Sequence, residues 1–195
     1  MAAVQTRDIG EETLDLLRRL IALQSVNDLT PDSGNEEAAA NLFESFFDGL
    51  PVEVERIEPH PGRTTLVVTL RGSDPSAQPL TFLGHTDVVP VDEKHWTHPP
   101  FAGEISEGSI WGRGSVDMLH LTAAMAVVTR RLAEEVSRGG VRPAGTLTFV
   151  AAADEEARGG LGVPWIGEHR EDAFPWEAQL SEMGGAHIRG ARGKD

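Results

Sequence analysis

The apolar positions along the chain change their period several times, and each change marks an element. Leu14, Leu17, Leu20 and Ile21 recur at helical spacing, carried on by Gln24, and Asp8 with Glu11 fits an N-cap and its third helical position. An amphipathic helix is therefore predicted at the start. Ser33 and Glu36 have the form of a second capping box, followed by an apolar stripe of Ala39, Leu42, Phe43, Phe46, Phe47 and Leu50, with Gly49 near the stop. An aromatic stripe of this kind reads as core. Val52, Val54 and Ile57 then largely alternate with Glu53, Glu55 and Arg56, the period of a half-exposed strand.

Residues 64–70 are β-branched and apolar at their centre, a better-buried strand, and Arg71 to Pro75 form a turn. Leu80 to Leu83 is an apolar run of strand length that stops at Gly84. Residues 92–101 are irregular, and their adjacent Pro99 and Pro100 place His95 and His98 in a loop, as surface or packing residues. A short hairpin is expected around Glu107-Gly108. From Met118 to Val136, Leu121, Ala124, Met125, Val128 and Leu132 give a long helix that Gly139-Gly140 ends. Thr146 to Ala152 is another buried strand, a turn and helix run to Arg170, and Trp176 to Ser181 reads as a short strand. The whole is an α/β pattern: a mostly parallel or mixed sheet flanked by helices.

Length and composition narrow the possibilities. The 195 residues suffice for one domain with a sizeable core, and 39% hydrophobic with 25% charged residues is ordinary for a water-soluble globular chain. A net charge of -14 repels nucleic acid and anionic membranes alike. With no cysteine, any metal must be held by His, Asp and Glu. No stretch has the length and apolarity of a membrane span or a signal h-region, which makes a cytoplasmic location the default.

The candidate chemistry lies where strands end. The Leu80–Leu83 run is followed by Gly84-His85-Thr86-Asp87, the Thr146–Ala152 strand by Asp154-Glu155-Glu156, and the short strand near 180 by Glu182. Asp117 stands at the start of the long helix, where the plainer role of an Asp is a cap. Parallel strands gather such ends along one rim. Three consecutive carboxylates repel one another unless they are solvated or bridged by a cation. A metal-bound His gains from a carboxylate that holds its other ring nitrogen, the relation His-x-Asp offers. One imidazole with several carboxylates suits a pair of divalent metals roughly 3.5–4 Å apart, one carboxylate bridging. The glycines of Gly112-Arg113-Gly114 offer a phosphate cradle as the weaker reading, since Asp117 stands where a dinucleotide fingerprint has its last glycine.

Gly84-His85-Thr86-Asp87-Val88-Val89-Pro90, Gly112 to Met118, and Asp154-Glu155-Glu156 together resemble the signature segments of the M20 family of dinuclear zinc peptidases and deacylases. The resemblance runs from the first helix to about Glu182. It implies a zinc-exopeptidase-like fold and hydrolysis of an amide bond in small N-acylated amino acids or short peptides. It also implies two zinc ions, with cobalt as a substitute. Carried over residue by residue, His85 is a terminal zinc ligand and Asp87 orients it. Asp117 bridges the metals, Glu155 is the general base, Glu156 ligates zinc, and Glu182 ligates the zinc that His85 also holds.

Two departures from the family pattern stand out. Where members commonly carry Asp-Met-Lys-Gly, this chain has Asp117-Met118-Leu119-His120. The resemblance also corresponds to the N-terminal portion of the catalytic domain over 1–195, without the lid or dimerisation domain and without the returning segment that carries a last His ligand. Neither His120 nor His187 looks placed to replace that ligand. The expectation is an incomplete domain with an uncovered sheet edge and a tendency to self-associate, and a non-catalytic metal-binding remnant is the alternative to an enzyme. An unrelated metallophosphoesterase would also cluster His and Asp at strand ends, but no Asn or extra His accompanies this set.

Overall fold

The computed structural model describes residues 8–30, 32–157 and 160–182. Helix α1 (Ile9–Ala22) begins as predicted, with the Asp8 carboxylate accepting hydrogen bonds from the amides of Gly10 and Glu11. Helix α2 (Glu37–Phe47) also lies on its apolar stripe, but its start differs from the expected box. Glu36 makes no cap hydrogen bond; it is fully buried and accepts from Arg63 instead, at 2.7 Å. Ser33 likewise turns to the loop, donating to the Thr30 carbonyl and accepting from the Asp28 amide. The pattern was that of a local cap, and a long-range ion pair has taken its Glu.

Strands β1 (Glu53–Ile57), β2 (Thr65–Leu70) and β3 (Leu80–His85) follow, then one 3-10 turn at Glu93–His95. The hairpin β4 (Glu104–Ser106) and β5 (Ser109–Trp111) closes on Glu107 and Gly108, both with positive φ, as a tight two-residue hairpin turn requires. Helix α3 (Leu119–Ser137), strand β6 (Leu147–Ala152), helix α4 (Val163–His169) and strand β7 (Gln179–Leu180) complete the order. The main sheet runs β1-β2-β6-β3-β7. It is mixed: β1, β2 and β6 pair antiparallel, whereas β3 is parallel to both β6 and β7.

Alternation along the central strands sends side chains into two cores. Leu66, Val68, Phe149 and Ala151 pack under α1, α2 and α3, where Phe43 meets Phe149 edge to face at 5.1 Å between ring centroids. Val67, Val150 and Ala152 face the other way, toward Ile166 of α4 and Phe174. Buried on both sides, β6 is apolar or small along nearly its whole length, as a central strand must be. Because β3, β6 and β7 point the same way, the chain leaves all three at one rim.

Candidate metal centre

His85 is the last residue of β3 and is 2% exposed. Its backbone is held from below by the first turn of α3: its amide contacts the Met118 sulfur at 3.3 Å, and the Thr122 hydroxyl donates to its carbonyl at 2.9 Å. The ring Nδ1 lies 3.0 Å from the Asp87 carbonyl and 3.4 Å from the Asp87 carboxylate, so Asp87 supplies two acceptors to that nitrogen. With Nδ1 carrying the proton, Nε2 of the neutral ring presents its lone pair to the rim. Around Nε2 stand Asp117 at 3.3 Å, Glu182 at 3.7 Å and Glu155 at 3.8 Å.

Two sets of potential ligand atoms result. His85, Glu155 and Glu182 form one, and His85, Asp117 and Glu156 the other, each with one atom per residue inside a 4.8 Å span. All six sequence-selected residues are thus brought to one place, five around the rim and Asp87 behind them. Asp117 does not serve as the cap of α3, which starts after Met118 without a side-chain cap. Glu155, expected as a base and not a ligand, lies as near His85 as Glu182 does.

This donor set fits a borderline divalent cation: neutral imidazole nitrogen and carboxylate oxygen, with no sulfur. A single Nε2 serves one ion, so two ions would have to divide the carboxylates between them. The charges already strain against each other. Burial works against a protonated His85, yet Asp87, Glu155 and Glu156 outweigh it and push its pKa up to about 9. Burial, reinforced by Asp117, Asp87 and Glu155 against the pull of His85, lifts Glu156 to about 7. Glu182 is raised as well, first by burial and then by its hydrogen bond with Asp117.

What the sequence reading missed lies behind the rim. The Asp87 carboxylate, fully buried, accepts from the backbone amides of Glu155 at 3.2 Å and Glu156 at 3.0 Å. It also accepts from Asn27 Nδ2 at 2.8 Å. Those bonds, with that from His85, keep its pKa below the usual carboxylate value in spite of burial. Asp154, at the start of the acidic triplet, does not join the rim. Its φ of 58° turns its side chain inward, where it accepts from Asn27 and from the Leu161 amide. Arg63 and Glu36 complete the layer. No local spacing links residues 27, 36 and 63 to the rim, so only tertiary structure brings them behind it.

Position 119, where the resemblance expects Lys, is a buried Leu in the main core, and an added Cβ at Gly114 would fall 2.5 Å from its side chain. His120 has a buried Nδ1 with no hydrogen-bond partner among the described residues. His95 pairs with Asp92 and His98 with Glu104, as loop residues, and His187 lies outside the described residues. A cavity of about 450 Å³ adjoins the cluster, lined by His85, Glu155 and Glu182 together with Leu83, Val163 and Pro164. No helix among the described residues is long and apolar enough to cross a membrane.

Human aminoacylase-1 is 34% identical over 152 residues, covering 77% of this chain and 35% of the relative. Rat aminoacylase-1B is 32% identical over 160 residues, 82% of this chain and 37% of its own. The chain therefore spans little more than a third of the curated relatives it matches. Among solved structures, the M20 family metallo-carboxypeptidase Sso-CP2 from Sulfolobus solfataricus superposes with a TM-score of 0.67 at 20% identity, over 89% of this chain and 38% of that one. Human carnosine dipeptidase 1 gives 0.62 at 21% identity, over 83% and 36%. At such identities the likeness is one of fold. The model of peptidase family M20/M25/M40 matches residues 81–193, more than half the sequence, and the chain belongs to that family.

Proposed function

We propose that this chain carries the greater part of a dinuclear zinc centre that hydrolyses an amide bond in N-acyl amino acids or short peptides. The observation that carries the proposal is the convergence of His85, Asp117, Glu155, Glu156 and Glu182 at the end of three parallel strands. The names of the relatives, an aminoacylase and a dipeptidase, support the substrate class. Bound divalent cations would lower the pKa of a water and polarise a carbonyl. The chain's own residues do the rest. His85, Asp117, Glu156 and Glu182 hold the ions, and Asp87 fixes the His85 ring. Glu155, half exposed at the mouth of the cavity, accepts the proton of the attacking water and returns it to the leaving amine. The adjoining cavity receives the substrate, whose amine or acyl side would lie against Leu83, Val163 and Pro164.

Elemental analysis tests the ligands. Wild-type protein should hold zinc or cobalt, while His85→Ala and Asp117→Ala should lose most of it; equal metal in all three removes the assignment. A second comparison separates the adjacent glutamates. Glu155→Gln should keep its metal and lose any hydrolysis of N-acetylated amino acids, because an amide cannot take the water's proton. Glu156→Gln should lose metal. The reverse pattern would exchange the two roles, and wild-type protein that binds metal without turnover would mark a binding remnant and not an enzyme.

A further inference from the structure

We infer that Asn27 is a positioning residue for the metal centre: its side-chain amide bridges Asp87 to Asp154 and thereby sets the turn that presents Glu155 and Glu156. The last step of this inference, from turn to metal, rests on the function proposed above; the first does not.

Asn27 is 1% exposed. Its Nδ2 donates to Asp87 Oδ2 at 2.8 Å and to Asp154 Oδ1 at 3.0 Å, using both of its protons on carboxylates. The amide orientation is fixed by what lies on its other side. Oδ1 accepts from Arg63 at 3.2 Å and from the Leu29 amide at 3.2 Å, so a flipped amide would set donor against donor and acceptor against acceptor. Arg63, 1% exposed, is itself held by Glu36 Oε1 at 2.7 Å and the Thr30 carbonyl at 2.7 Å. Glu36 Oε1 also accepts from the Asp154 amide at 3.2 Å, closing the network on the chain that carries the rim glutamates.

The loop that brings Asn27 here is tied to the same rim. Its amide donates to the Val88 carbonyl at 2.8 Å, and the Val88 amide donates to the Ser25 carbonyl at 2.9 Å. Asn27 thus moves with the segment that follows His85. Asp87 and Asp154 share this donor, an amide being a neutral group that supplies two protons from one nitrogen, and Arg63 faces Asp154 at 3.7 Å. Asp87 Oδ2 accepts from both Asn27 and the Glu156 amide, while Oδ1 accepts from the Glu155 amide and faces His85 Nδ1. Groups that orient metal ligands in this way change metal affinity by roughly 10–100-fold when removed.

The test compares Asn27→Asp, which keeps the shape but removes both protons, with Asn27→Ala, which carries the test where the first variant does not fold. Val67→Ala, a buried change on the face of the sheet that packs against α4, controls for lost stability. In metal-free protein, proton NMR should show the amide signals of Glu155 and Glu156 displaced in both Asn27 variants and unmoved in Val67→Ala. Cobalt titration, followed by visible absorption, should show affinity weakened about 10–100-fold in the Asn27 variants alone. Unmoved Glu155 and Glu156 amides overturn the inference, and so does a cobalt affinity equal to that of a metal-binding wild type. Displaced amides in protein whose wild type binds no cobalt would uphold the bridging role and reject the metal centre instead.

Discussion

His85 and Glu156 make metal-free protein a molecule that dislikes alkali. His85 has a folded pKa of about 9 against 6.5 for a free ring, so its stabilising share is complete below about 6.5 and is lost as pH rises through 9. Glu156 is raised to about 7 from 4.5, so its share is complete below about 4.5 and is lost as pH rises through 7. Both act in one direction. In chelator, the urea midpoint should fall steadily between pH 5 and pH 9, with His85 contributing on the order of 3 kcal/mol and the more exposed Glu156 less. Saturating zinc should reverse the slope, because ligands must shed their protons to bind it. A midpoint that climbs with pH in chelator would contradict the acidic surroundings assigned to His85. At this scale the sequence was informative: five residues chosen at strand ends, and Asp117 at a helix start, lie together at one rim. It was silent about Asn27 and Arg63, whose chemistry appears only opposite partners far along the chain, and it could not tell that Asp154 turns inward while its two neighbours face the rim.

Among the elements, β3 and α3 meet closely at Gly84. A Cβ on Gly84 would lie 2.4 Å from the Thr122 hydroxyl and 3.2 Å from the Thr122 Cα, so the helix rests directly on the strand there. Gly84→Ala must push α3 away and break the Thr122 bond to the His85 carbonyl. It should lower stability by about 1–3 kcal/mol and reduce metal content at the same time, measured by urea unfolding and elemental analysis. Unchanged stability would show that the helix is freer than this packing allows. The elements themselves were largely legible, since period and punctuation place α1, α3, β2, β3 and β6 within a residue or two. The start of α2 was not. Ser33 and Glu36 satisfy a local rule for capping, yet burial beside Arg63 offers Glu36 a stronger partner than an exposed amide. Two-residue β7 falls inside the short strand expected over Trp176 to Ser181, and its narrower bounds are set by its pairing with β3.

Over the whole molecule, the described sheet has an open side. β7 pairs only with β3 among the described residues, and Leu180 is 52% exposed on it. An edge carrying an uncovered apolar residue invites a second chain. Sedimentation at rising concentration should therefore give a mass above the 21.0 kDa of one chain, and Leu180→Lys should return it toward that value. A monomer at every concentration would mean that this edge is already satisfied. The order of the strands has another consequence, in time and not in space. β6 lies between β2 and β3, which precede it in the chain, so both must wait with unpaired flanks until Leu147–Ala152 has been synthesised. Such non-local closure slows folding. A ribosome-bound chain that has emerged only through α3 already has His85, Asp87 and Asp117, but it lacks the strand that β3 pairs with and the two glutamates that follow that strand.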